Sequence, residues 1–65
     1  MKFTDEQIEV AIAVESIVIE KRMNLREKAE FVKKQWAAGD YAYFDTFMDY
    51  LEAISDAEFS LLYAD

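Results

Sequence analysis

The chain has 65 residues, a net charge of −7, 54% apolar side chains and neither Cys nor His, which excludes disulfides and the zinc, haem and iron–sulfur centres that need thiolate or imidazole ligands. A chain this apolar can bury enough surface to offset ordering, so disorder is excluded and residues 1–65 read as a single domain near the lower size limit for independent folding. Its longest apolar region, Val10 to Ile19, is broken by Glu15 and falls short of the roughly 20 residues that cross a bilayer; the start Met1-Lys2-Phe3-Thr4-Asp5-Glu6 has no secretory-signal pattern, so a cytoplasmic protein without a membrane partner is expected.

Helix-start signals divide the chain. Thr4 with Gln7, Asn24 with Glu27, and Ser55 with Glu58 have capping-box spacing, in which a side-chain oxygen accepts from the third helical N–H and that residue's side chain reaches back. Gly39 followed by Asp40 closes one helix in a left-handed turn and N-caps the next. The predicted helices run over about 5–23, 25–38, 41–54 and 56–63. The expected fold class is all-α, a small helical bundle of three main helices plus a short C-terminal helix.

In the first predicted helix, Val10–Val14 alternates and is β-branched, as is Ile17–Ile19, which is also a strand pattern. The capping box and the lack of turn residues favour the helix. Its apolar residues fall on two arcs, Ile8, Ile12, Ile19 and Met23 on one and Val10, Val14, Ile17 and Val18 on the other, whereas an ordinary surface helix needs one stripe. Either the second arc (Val10, Val14, Ile17, Val18) forms a homodimer interface, or the remaining helices cover both arcs within one chain. In the second helix Leu25, Ala29, Val32 and Trp36 have core-stripe spacing, while Arg26–Glu30 and Glu30–Lys34 are i,i+4 pairs on the solvated side.

In the third, Phe44, Phe47, Met48, Leu51 and Ile54 form the expected core face, with Tyr43 and Tyr50 on one flank and Asp45, Asp49 and Glu52 on the other at i, i+4 and i+7. Asp56 continues the row and Glu58 follows it. All seven Lys and Arg lie at or before position 34, so the last 31 residues hold seven carboxylates, no cation, and eight of the ten aromatic residues. Like charges at helical spacing destabilise a helix, and solubility alone does not require removing every cation from half a chain.

This pattern predicts binding rather than catalysis. There is no His or Cys and no Gly-rich phosphate loop; Ser16, Ser55 and Ser60 lack a basic partner, and the acids lack a calcium-loop pattern. Neither a cofactor nor a metal is expected, and direct nucleic-acid binding is disfavoured by the net charge. The expected partner is a basic surface of a larger protein, such as a nucleic-acid-binding enzyme, with Asp45, Asp49, Glu52 and Asp56 supplying charge and Tyr43 and Tyr50 anchoring, helped by Tyr41. The alternative is a homo-oligomeric helical adaptor working through the first helix. In size, charge and lack of catalytic groups the chain resembles the nucleic-acid-mimicking inhibitors that viruses and mobile elements direct against restriction, CRISPR or repair enzymes. That resemblance, one of composition, implies a viral or mobile-element origin and action in the host cytoplasm.

Overall fold

Two capping boxes start the first two helices where the sequence places them. In the computed structural model, which describes residues 2–39 and 43–63, α1 spans Asp5–Glu20, α2 Leu25–Ala37 and α3 Phe47–Tyr63, with no strand among the described residues. Thr4 Oγ1 accepts from Gln7 N–H at 3.2 Å and Gln7 Oε1 accepts from Thr4 N–H at 2.9 Å. Asn24 and Glu27 repeat the exchange at 2.8 and 2.9 Å. Each box satisfies two backbone donors that a helix start otherwise leaves open.

The first helix ends three residues earlier than expected. Arg22 adopts φ 53°, and its N–H donates to Ile19 O at 3.1 Å while Met23 N–H donates to Val18 O at 3.1 Å. This pair of bonds is a Schellman turn with arginine in the left-handed position that glycine usually fills. At the end of α2, Gly39 takes that position with φ 85°.

The third helix departs most from expectation. It begins at Phe47 rather than near 41, with Thr46 Oγ1 accepting from Asp49 N–H at 3.1 Å and Thr46 O accepting from Tyr50 N–H at 3.2 Å. The Asp40 cap and Tyr41 lie outside the described residues. Ser55 and Glu58 sit inside α3 and start nothing, so the expected short C-terminal helix is the continuation of the third. No Gly or Pro interrupts this stretch, and the Glu58 carboxylate is engaged by Lys28 instead of reaching back to Ser55.

Ala11 and Val14 of α1, Val32 of α2, Phe44, and Tyr50, Ala53, Ile54 and Ala57 of α3 form one buried cluster. Small residues at 11, 53 and 57 let α1 and α3 pack as the principal helix pair. Gln7 Nε2 donates to Tyr43 O at 2.6 Å at one end, and Glu15 and Glu58 share Lys28 at the other, so α1 and α3 run in the same sense. α2 reaches the core with long side chains: the Trp36 ring lies 5.5 Å from Phe47 and 5.7 Å from Tyr50.

Three face assignments change. On α1 the buried line is Ala11, Val14, Glu15 and Val18. Val14 and Val18 are therefore inside the chain's own core, Val10 packs half-buried against it, and only Ile17 is appreciably exposed. The four therefore do not share one exposed face of the chain. On α2, Leu25 is 83% exposed and Ala29 is exposed. The inward line is Lys28, Phe31, Val32, Gln35 and Trp36, rotated so that Lys28 meets Glu15. On α3, Met48 faces solvent while Tyr50 is wholly buried. The Arg26–Glu30 and Glu30–Lys34 pairs do not close, since the salt bridges among the described residues are Lys2–Glu52, Lys28–Glu15 and Lys28–Glu58.

Candidate binding face and groove along α3

The cap at Thr46 sets the phase of α3, and that phase turns Asp49, Glu52 and Asp56 away from the core at i, i+3 and i+7. With about 1.5 Å of rise per residue, the row covers about two turns. Asp45 lies in the bend before the helix, so it adjoins the row without belonging to its helical spacing. Asp49 is half-buried; Asp45, Glu52 and Asp56 are exposed. Asp49 also sits in the first turn, where the helix dipole favours a carboxylate.

The row is not without a cation. Lys2 Nζ meets Glu52 Oε2 at 2.6 Å, with side-chain exposures of 61% and 48%. The hydrogen bond to Glu52 raises the Lys2 pKa, against a smaller opposing effect of desolvation, and the charges of Glu52, Asp49 and Asp56 add to the rise. Fifty residues of separation hide this pair from any count along the sequence. Asp45, Asp49 and Asp56 make no salt bridge with the described residues.

Of the two expected tyrosine anchors, Tyr43 is half-exposed beside the start of the row. Tyr50 is instead a fully buried core residue, its ring within 5.3 to 6.4 Å of Phe44, Trp36 and Phe47. Its place on the outer face is taken by Met48, and further along by Phe59 and Tyr63, whose rings are 5.0 Å apart.

Beside the row, α1 and α3 enclose a groove of about 200 Å³. Phe3, Ile8, Ile12, Ala53, Ala57 and Ser60 line it, and Lys2 and Asp56 stand at its rim. Small-molecule sites usually offer 300 Å³ or more, so this groove suits a single side chain rather than a cofactor. Among the described residues no three metal-ligating side chains converge, and no helix is long and apolar enough to cross a membrane.

At the far end, Lys28 Nζ is 2.9 Å from the buried Glu15 and also bonds Glu58. Burial opposes the charged form of Lys28, but the hydrogen bonds to Glu58 and Glu15 and both carboxylate charges together outweigh it and raise its pKa. This triad was missed in the sequence, although Glu15 as the only charge within Val10–Ile19 was a signal that something must neutralise it. Around it Ile19, Met23, Leu25 and Leu62 form an apolar rim.

Among the described residues, the fold and face define three packed helices with an acidic outer row beside an apolar groove. No family model, curated protein or solved structure matches the chain.

Proposed function

We propose that this chain is a small non-catalytic protein that binds a basic surface on a larger protein and inhibits or modulates it. The observation that carries the reading is the row of Asp45, Asp49, Glu52 and Asp56, exposed except for the half-buried Asp49 and relieved, among the described residues, by the solvent-exposed Lys2 alone. Charge of one sign on an open face raises encounter rate with an oppositely charged partner, while adjacent apolar groups lengthen the contact. Here Tyr43 and Met48 are the exposed apolar groups beside the row. Carboxylates about 4.5 to 6 Å apart along a helix are comparable in scale to the charges of a nucleic-acid strand, which makes the Lys- and Arg-lined groove of a nucleic-acid-binding enzyme a fitting target. That finer version places the protein in the cytoplasm, of a host cell if its origin is viral. A lysine-rich probe peptide should bind with an affinity that falls steeply with added salt; affinity indifferent to salt argues against the reading.

The exposure of Leu25, Phe59, Leu62 and Tyr63 favours a second reading, a homo-oligomeric adaptor. Its working surface is then the apolar end of the bundle, not the first helix. Sedimentation of the wild-type chain and of Leu62→Glu tests it: a dimer that becomes a folded monomer supports it, and a wild-type monomer at micromolar concentration rules it out.

A further inference from the structure

We infer that the groove between α1 and α3 is the seat for a basic segment of the partner. Such a segment places one apolar side chain between Ile8, Ile12, Ala53 and Ala57 and lays a lysine or arginine against Glu52 and Asp56, a position the chain's own Lys2 holds until it is displaced. This inference rests on the acidic-face reading and narrows it to one kind of partner.

The walls and rim decide the occupant. Four of the lining residues are aliphatic or alanine side chains, which favour an apolar group, while Asp56 stands at the rim and Glu52 lies one turn before it. An apolar seat edged by carboxylates complements a segment that carries an apolar and a cationic side chain close together. Its volume, about 200 Å³, is below the range of ordinary small-molecule sites. A second copy would bring its own charge of −7 toward the same acids, and a nucleic acid would be repelled in the same way.

Lys2 and Phe3 supply an internal example of the fit. The Lys2 ammonium is bound by Glu52 and lies in the field of Asp49 and Asp56, while the adjacent Phe3 lines the groove and packs edge-on against Phe44 at a centroid distance of 6.3 Å. A lysine next to an apolar residue is thus the chemistry already accepted there. Lys2 remains largely in solvent, so an incoming cation can exchange with it at little cost.

The test uses the full chain and two labelled helical peptides of about four turns. One carries leucine and lysine on adjoining faces, and the other has alanine at every leucine position. Fluorescence anisotropy at low salt should show the leucine peptide binding about tenfold tighter than the alanine peptide. Ser60→Trp, at an exposed position on the groove wall, should abolish that difference with helix content by circular dichroism unchanged. Lys2→Ala should tighten leucine-peptide binding by about threefold, because the internal competitor is gone. Equal binding of both peptides, unaffected by Ser60→Trp, overturns the groove and leaves the acidic-face reading standing. Failure of both peptides to bind overturns the two together. A loss of affinity, or no change, in Lys2→Ala overturns the role given to Lys2.

Discussion

Glu15 of α1 and Lys28 of α2 meet inside the molecule, carboxylate Oε2 to ammonium Nζ 2.9 Å, with Glu15 only 2% exposed. Removing one member of a buried pair leaves the other desolvated without compensation, which costs about 3 kcal/mol or more. A domain of this size holds little more than that in total. Lys28→Met should therefore unfold much of the population, as read by urea denaturation. Adding Glu15→Leu should restore stability to the wild-type level or above, because apolar replacement of a whole buried pair is often neutral or favourable. Glu58 is half-exposed and should tolerate losing Lys28, because water solvates its carboxylate.

The raised pKa of Lys28 sets a direction in pH. Burial pushes it down, but the bonds and charges of Glu58 and Glu15 push it further up. A folded-state pKa above the unfolded one stabilises fully below the ordinary lysine value of about 10.4 and is lost as pH rises through the higher folded value. The stability of wild type relative to the Glu15→Leu, Lys28→Met double variant should be level with respect to Lys28 from neutral to about pH 10 and fall above it. Using the double variant as reference isolates the contribution of Lys28.

Arg22 occupies a left-handed backbone position at φ 53°, where a Cβ costs about 1 kcal/mol and glycine costs nothing sterically. Arg22→Gly should stabilise the chain by about 0.5 to 1 kcal/mol despite glycine's greater freedom when unfolded. Arg22→Val should destabilise it. Thermal melts of the three chains give the ranking.

Leu25 and Val32 belong to the same core stripe by spacing but not by burial, the first being 83% exposed and the second 2%. Leu25→Gln should change stability by less than about 0.5 kcal/mol. Val32→Ala should cost about 1.5 to 2.5 kcal/mol from lost transfer energy and the cavity left behind. Equal effects in chemical denaturation would return Leu25 to the core.

What was legible in the sequence was local. The boxes at Thr4 and Asn24 involve residues three apart and stand as read, as does the all-helical class. The box at Ser55 has the same spacing and kinds of residue, but such an i,i+3 pair arises inside any polar helix face, and only the uninterrupted chain from Phe47 decides between them. Thr46-Phe47-Met48-Asp49 carries the capping pattern that starts α3, but Gly39-Asp40 offers a helix stop and start side by side and so draws the expected boundary upstream. The phase of α3 was hidden for a different reason: apolar residues at 47, 48, 50, 51, 53, 54 and 57 cover more than half the helix circumference, so periodicity does not choose Tyr50 over Met48 as the buried one. Pairs such as Lys2–Glu52 and Glu15–Lys28 depend on tertiary placement, so unbalanced charge along the chain overstated the imbalance in space.

The most direct measurement of the central claim compares two charge-neutralised chains of equal net charge. Asp49→Asn, Glu52→Gln and Asp56→Asn remove three carboxylates from the α3 face; Glu6→Gln, Glu9→Gln and Glu20→Gln remove three exposed ones from α1. With the leucine–lysine peptide as probe at low salt, the α3 variant should bind about tenfold or more weaker than wild type and the α1 variant within about threefold of it. Equal losses in the two variants would mean that the peptide responds to net charge alone, and the α3 face would have no claim to be a binding site.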